Sequence, residues 1–451
     1  MPTPLNSKFR SNRKPKLFFG LNLQTPFWVS AALALAFLFR LAFGLCSEFW
    51  GDDERQVYLV GLKFFTTGEW PYFGPTSFRA QIPGALQGLV IGGPLFIWPT
   101  PEAPFILLNL LSFAALCLLG WYCCKRLPQV PRWFIWAWLL TAPWTLNYST
   151  HVVNPSYVLF GSVLFFIGFW ETIPGLGLRV IPPVFCNALM GFSFFWIIQF
   201  HLSAPILAPL MLVSFYYQFK SKGFGFPKFI LGVLIGSALS GVFLIPTFLK
   251  YGLIQGTGGT GALFQLNLDN LKSFITILAR FFSFASFELP RFLGAHTFDR
   301  RAFFKSELWL APFGLFLFLA GIAQPLFMLV QWLLKKDKTA DWKAVKFLTL
   351  GLFLLIYFSF WFTSKEPSAH TYYLFLPMAM LYSFYCLGDL FKETKWRNFA
   401  VVFLVSGVIY HTGLALHRLP THSLYKDRAV PVSAIAQKNY KLLGEKYSDS
   451  W

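Results

Sequence analysis

The stretch that decides the fold is PFWVSAALALAFLFRLAFGL, at residues 26–45. A membrane-spanning helix needs about 20 consecutive, mostly apolar residues, because the hydrocarbon core of a bilayer is about 30 Å thick. This stretch has that length, and it is longer than the apolar region of a secretory signal peptide. We therefore expect residues 26–45 to be retained as the first membrane-spanning helix.

The composition of the whole chain agrees with a membrane protein. Of its 451 residues, 56% are hydrophobic, 20% are aromatic and only 13% are charged, which leaves too little polar surface to cover a soluble domain. Soluble dehydrogenases, kinases and DNA-binding proteins are thereby excluded. The six cysteines lie within or at the edge of apolar runs without a Cys-x-x-Cys pair, so they indicate neither a metal site nor a disulfide framework.

Further apolar runs predict an all-α polytopic membrane protein with about 11 transmembrane helices. The expected spans are 26–45, 103–124, 132–147, 155–171, 181–199, 202–219, 228–249, 307–334, 343–363, 371–391 and 397–416. Residues 82–98 are also apolar, but Pro83, Pro94 and the pair Gly92-Gly93 interrupt them. That pattern favours a membrane-surface or re-entrant element over a complete span.

The placement of basic residues predicts the orientation. With the N-terminus inside, the inner segments hold 20 basic and five acidic residues, whereas the outer side holds 18 basic and 14 acidic ones. An excess of lysine and arginine marks cytoplasmic loops. Most of the net charge of +19 is therefore a topology signal, and nucleic acid is not an expected partner. Arg40 is counted with the outer residues, and no charge is expected deep within a span.

This topology divides the chain into three parts. Residues 1–25 are a basic cytoplasmic N-terminus, 26–416 are the transmembrane domain, and 417–451 are a short periplasmic tail. Two long outer loops, 46–102 and 250–306, contain amphipathic stretches rich in aromatic residues, which predict juxtamembrane helices in the first and fourth outer loops. Because long ordered loops tend to hold functional sites, we expect any chemistry at the outer membrane surface.

The densest acidic cluster in the chain is Asp52-Asp53-Glu54, which follows the first span. A carboxylate held at a membrane interface could accept a proton from an attacking hydroxyl, or the cluster could bind a cation. Three solvated acids in an ordinary loop are the alternative.

The segment from Asp53 to Trp70 closely resembles the first outer loop of the C-type (GT-C) glycosyltransferases, especially the lipid A aminoarabinose transferases and protein O-mannosyltransferases. Three shorter outer segments, at 151–156, 199–204 and 365–377, also look like segments of bacterial members of that superfamily. The resemblance covers residues 26–416 in topology. It implies a GT-C-like bundle and an Asp-Glu motif at the catalytic site.

The resemblance also implies roles for individual residues. Asp53 would act as general base, with Glu54 and Asp52 beside it. Candidates to hold the donor phosphate are Lys365, Arg79, Arg291, His370 and Tyr373, and candidates to line the acceptor cavity are Tyr58, His151, Asn154 and His201. For each cation the alternative is an interface anchor, and for each histidine a helix cap. No cofactor is required and no metal site is expected, although a divalent cation could bind the three acids.

The expected function is transfer of a hexosyl or pentosyl group from a polyprenyl-phosphate carrier to a lipid, glycan or protein acceptor. The reaction would occur at the periplasmic face of a bacterial inner membrane, with membrane lipids as further partners. The alternatives are a transporter or flippase of lipid-linked saccharides and an O-antigen polymerase or ligase. Arg300-Arg301 gives only a faint likeness to the paired arginines of the last class.

Overall fold

The computed structural model describes residues 26–47, 52–77, 80–220, 225–283, 293, 297–335, 339–363 and 373–421. Most of these residues are helical. The helices of the first half are α1 (Pro26–Ser47), α2 (Asp52–Thr67), α3 (Leu86–Ile97), α4 (Ala103–Arg126), α5 (Arg132–Thr141), α6 (Pro143–Asn147), α7 (Val158–Thr172), α8 (Pro183–Ile198) and α9 (Ala208–Lys220). Those of the second half are α10 (Phe226–Gly241), α11 (Ile245–Gln255), α12 (Phe274–Phe282), α13 (Thr297–Ser306), α14 (Ala311–Leu334), α15 (Ala340–Phe360), α16 (Leu376–Leu387) and α17 (Thr394–Arg418).

Every apolar run that the sequence marked as a span lies on one or more of these helices. Six helical segments of the described chain are long and apolar enough to cross a membrane by themselves: Phe27–Ser47, Ala103–Arg126, Phe226–Gln255, Leu308–Leu334, Ala340–Phe360 and Thr394–Arg418. The other expected spans are shorter or are broken. The run 132–147, for example, divides into α5 and α6 at Ala142, because Pro143 begins a new helix.

One end of the bundle gathers the loops that we expect on the inner side. Arg126, at the last turn of α4, is only 9% exposed. Its guanidinium donates to the carbonyls of Gly175, at 2.7 Å, and Leu176, and it forms an ion pair with Asp341 at 3.4 Å. Three expected inner loops therefore meet at a single arginine, which supports the predicted alternation of loops between two ends.

The opposite end, called the outer end below, holds α2, α3 and a β-hairpin. Strand β1 (Phe73–Ser77) pairs antiparallel with β2 (Ala80–Pro83), and the register shifts between Phe73 and Thr76. The amide of Gln81 donates to the carbonyl of Gly258 at 2.8 Å, so the glycine-rich segment of the second long loop lies against β2. The two long outer loops are thus packed together.

Helix α2 packs closely on α3 because Gly61 lacks a side chain. A Cβ at this position would lie 2.3 Å from the Cβ of Ile91, closer than real atoms approach. Small residues allow helices in membranes to approach in this way. Residues 82–98, expected as a surface or re-entrant element, thus contain a short helix that supports α2 at the outer end.

Candidate functional site

The acidic cluster lies at the start of α2, which begins at Asp52. Carboxylates are favourable in the first turn of a helix because the backbone N–H groups there lack helical partners. Glu54 is half-buried, whereas the side chains of Asp52 and Asp53 lie outside the described residues. Further along α2, Val57, Tyr58, Leu59 and Leu62 are each at most 4% exposed and fix the helix in the core. A catalytic role for these acids therefore stays a prediction.

A short turn that contains Asn154 lies beside α2. Residues Asn154–Tyr157 form a 3₁₀ turn in contact with this helix. Asn154 Oδ1 and Ser156 Oγ are buried atoms that have no hydrogen-bond partner among the described residues. An unsatisfied buried polar atom costs about 1–3 kcal/mol, so such atoms are good candidates to contact a ligand.

His151 connects this turn to the end of the first span. Its Nε2 lies 2.9 Å from Ser47 Oγ, and its Nδ1 lies 2.9 Å from the carbonyl of Asn147. The ring also meets Phe43 edge to face, with centroids 5.6 Å apart. His151 thus joins the segment after α6 to α1. The contact is at Ser47, five residues before Asp52.

The last helix completes this connection through residues that the sequence analysis missed. Arg418 donates to the carbonyl of Ser47 at 3.0 Å. His411, which is fully buried, lies against Phe43 with centroids 5.4 Å apart, and its Nε2 is 3.5 Å from Asn147 Nδ2. A signal for both was present, since polar residues within an apolar helix seldom face lipid.

A buried arginine lies deeper in the same region. Arg40, counted in the sequence with the outer residues, is fully buried within α1, about 10 Å along the helix from Ser47. Its guanidinium donates to the carbonyls of Leu140 and Thr145, both at 2.9 Å, and to Ser149 Oγ at 2.6 Å. The expectation that no charge lies deep in a span is therefore wrong, because two backbone carbonyls and one hydroxyl satisfy this cation.

Tyr373 contacts the segment that binds Arg40. It is fully buried, and its hydroxyl donates to the carbonyl of Trp144 at 3.4 Å. Its ring stacks near Trp144 and contacts Tyr148, with centroids 6.2 and 5.7 Å apart. A role in holding the donor phosphate would require this hydroxyl to exchange its backbone partner for phosphate.

His201 lies at the turn between α8 and α9. Its Nδ1 is 2.8 Å from Ser203 Oγ and accepts from the amide of Ser203 at 3.2 Å, which is the arrangement of a local cap. Helix α3 reaches the same turn, because Gln87 Nε2 donates to the carbonyl of Phe200 at 3.1 Å. The structure thus brings the 199–204 segment against the first outer loop, as members of a single site require.

Several predicted site residues lie outside the described part of the chain. They are Arg79, Arg291, Lys365 and His370, and their roles stay predictions. Among the described residues, no group of three or more His, Cys, Asp or Glu side chains could hold a metal ion. The described site therefore consists of half-buried Glu54 on α2, the unsatisfied polar atoms on the turn that contacts α2, and the hydrogen bonds that join α1 to the segment after α6 and to α17.

Comparison with known proteins gives one informative result. No protein-family model matches the chain, and no curated protein sequence matches it. Among solved structures, the chain is similar to ArnT from Cupriavidus metallidurans bound to undecaprenyl phosphate, with a TM-score of 0.51 and 11% sequence identity. The match covers 90% of this chain and 78% of that chain. The chain is therefore an all-α polytopic membrane protein whose fold is similar to that of this ArnT structure, as the first outer loop led us to expect.

Proposed function

We propose that this protein is a glycosyltransferase that takes a sugar from a polyprenyl-phosphate carrier and transfers it to an acceptor hydroxyl. The observation that carries the proposal is the fold shared with ArnT over 90% of the chain, together with an acidic cluster at the start of α2, immediately after the first span. The solved ArnT structure contains undecaprenyl phosphate. A carrier of the same class is the donor proposed here.

In the proposed reaction, the acceptor oxygen attacks the anomeric carbon of the donor sugar. The bond between that carbon and the phosphate oxygen breaks, and the polyprenyl phosphate leaves with the electron pair. Asp53 accepts the proton of the acceptor hydroxyl, with Glu54 and Asp52 maintaining the acidic surroundings. The sugar is inverted in configuration, because a single displacement occurs.

The departing phosphate needs positive charge or hydrogen-bond donors where its own charge develops. Lys365 and Arg79 are the proposed cations, with Arg291, His370 and Tyr373 as further candidates. Tyr58, His151, Asn154 and His201 are the proposed cavity residues. Of these, Asn154 has the clearest support, since its buried Oδ1 has no partner among the described residues.

We place the reaction at the periplasmic face of a bacterial inner membrane, with the N-terminus in the cytoplasm. What supports this orientation is the excess of 20 basic over five acidic residues in the segments assigned to the inner side. The acceptor is a lipid, glycan or protein, and the sugar is a hexose or pentose.

The proposal is tested with purified protein in proteoliposomes, supplied with undecaprenyl-phosphate-linked radiolabelled sugars and a bacterial envelope fraction as acceptor. We expect labelled acceptor and free undecaprenyl phosphate to form in equal amounts. A transporter would instead move the labelled lipid across the bilayer without releasing undecaprenyl phosphate. That second result would overturn the proposed function.

A further inference from the structure

An open cleft of about 180 Å³ lies between α2 and the β-hairpin. Its lining residues come from α2, the following segment, both strands and α11: Gln56, Val60, Lys63, Phe64, Glu69, Trp70, Pro71, Tyr72, Phe73, Gly74, Pro75, Gln81 and Tyr251. A space of roughly 150 Å³ holds one benzene ring in a protein cavity. The cleft therefore has room for a single six-membered ring.

Aromatic side chains form much of the wall, and they are held in place. Tyr251 contacts Tyr72 edge to face and lies tilted against Phe73, with centroids 5.6 and 5.1 Å apart. The ammonium of Lys250 lies 4.1 Å from the centroid of the Tyr72 ring. Fixed aromatic faces offer contact area at little cost in side-chain entropy, and they suit the C–H faces of a sugar ring.

Two residues that line the cleft each have a buried polar atom without a hydrogen-bond partner among the described residues. Gln56 is only 7% exposed, and its Oε1 is buried and unpaired. Trp70 Nε1, a donor, is also buried and unpaired. The lining residues thus offer one unpaired acceptor and one unpaired donor, which suits a ligand whose hydroxyl groups both donate and accept hydrogen bonds.

Two of the residues that line the cleft are charged, and their charges cancel. Lys63 Nζ lies 3.2 Å from Glu69 Oε2, so the two charged lining residues form an ion pair. A phosphate or a lipid headgroup would be recognised by unbalanced positive charge. The balanced pair favours an uncharged ligand.

We propose that this cleft binds one uncharged pyranose ring, namely the acceptor sugar of the transferase reaction. Gln56 stands three positions after Asp53 on α2, so the two positions are neighbours along one side of the helix. A ring bound at Gln56 and Trp70 would be brought next to the proposed base. That the bound sugar is the acceptor rests on the proposed function. Binding of the sugar to the cleft can be measured without any turnover.

The test is saturation-transfer NMR on the full protein in lipid nanodiscs, with the methyl glycosides of glucose, galactose, mannose and N-acetylglucosamine as probes. We expect at least one glycoside to bind saturably in the millimolar range. Gln56→Leu and Trp70→Phe should each weaken this binding by about tenfold, because each removes one hydrogen bond. Trp70→Phe keeps an aromatic ring, and it tests the site even if Gln56→Leu does not fold.

Thr66→Ala is the matched control, since Thr66 is an exposed residue of α2 outside the cleft, and it should bind like the wild type. The inference is overturned if no glycoside binds saturably, if both cleft variants bind normally, or if inorganic phosphate or phosphatidylglycerol displaces the sugar. Binding that depends on Gln56 and Trp70, in a wild-type protein that transfers no sugar, would retain the cleft and reject the proposed function.

Discussion

Nε2 of His151 lies 2.9 Å from Ser47 Oγ and thereby joins the segment after α6 to the outer end of the first span. Ser47 is also held through its carbonyl, which accepts from Arg418 at 3.0 Å. These two contacts fix the chain from two sides at Ser47, five residues before the acidic cluster. The framework behind the proposed base is thus made by helices that are distant in sequence.

The first prediction concerns this hydrogen bond. We expect Ser47→Ala and His151→Phe to interact in a double-mutant cycle by about 1 kcal/mol of unfolding free energy, the usual contribution of a neutral hydrogen bond. Each should also slow sugar transfer by about tenfold or more, because the acidic cluster loses its fixed position. Unfolding in detergent and turnover measure the two effects. Strictly additive effects on unfolding would contradict the role of the bond.

The second prediction concerns Arg40. Arg40→Met should destabilise the protein by about 3 kcal/mol or more, because it removes the arginine's three buried hydrogen bonds, to the carbonyls of Leu140 and Thr145 and to Ser149 Oγ. Arg40→Lys should recover only part of the loss, since a single ammonium cannot reproduce the planar set of donors. Thermal unfolding in detergent measures this order. The control is Arg301→Ala, at an exposed arginine of α13, which should unfold like the wild type. Equal unfolding midpoints for Arg40→Met and this control would refute the prediction.

The third prediction concerns the contact of α2 with α3. Gly61→Ala should cost about 1–3 kcal/mol, because the added methyl group overlaps Ile91 and must displace one helix. Sugar transfer should fall as well, since α2 carries the acidic cluster. Gly351→Ala is the matched control, because a Cβ there meets no atom within 4 Å. If both variants unfold at the same temperature, the close packing of α2 on α3 does not contribute to the stability of the protein.

The fourth prediction is a dependence on pH. Hydrogen bonds from His417, at 3.1 Å, and from Trp309 hold the pKa of Glu307 below its ordinary value of 4.5. Since the carboxylate form is favoured in the folded state, its stabilisation is complete above pH 4.5 and is lost as the pH falls through the lowered pKa.

Thermal unfolding of the wild type and of Glu307→Gln measures this effect. Near neutral pH the wild type should unfold at the higher temperature, and the difference should shrink as the pH is lowered below 4.5. A difference that stays constant or grows in that range would show that the pair does not act through the charge of Glu307.

The spans could be predicted from the sequence because the bilayer imposes a length and a composition on each of them. Their breaks were harder to place. Pro143 lies within an apolar run that reads as one span, and the run nevertheless divides at Ala142. The hairpin was missed for a different reason: Pro75, Pro83 and two glycines make residues 73–84 read as a loop, and the hairpin contacts Gly258, far away in sequence.

The candidate site was predicted in part. The Asp-Glu segment pointed to the GT-C fold, and His151 and Asn154 lie at the outer end as expected. Arg40 was missed because one arginine in a long apolar run was assigned to the outer side, while its partners come from the break after α5. The cleft at Gln56 and Trp70 requires residues from α2, the hairpin and α11, and no periodicity in the sequence links these three segments.

The measurement that tests the central claim most directly is sugar transfer by Asp53→Asn compared with Asp269→Asn, a matched change at an exposed acid of the second long outer loop. Both variants would be assayed with undecaprenyl-phosphate-linked sugar, and release of undecaprenyl phosphate would be counted alongside labelled acceptor. We expect Asp53→Asn to lower turnover by about 100-fold or more, as loss of a general base does, and Asp269→Asn to retain wild-type turnover. Wild-type turnover in Asp53→Asn would contradict the account.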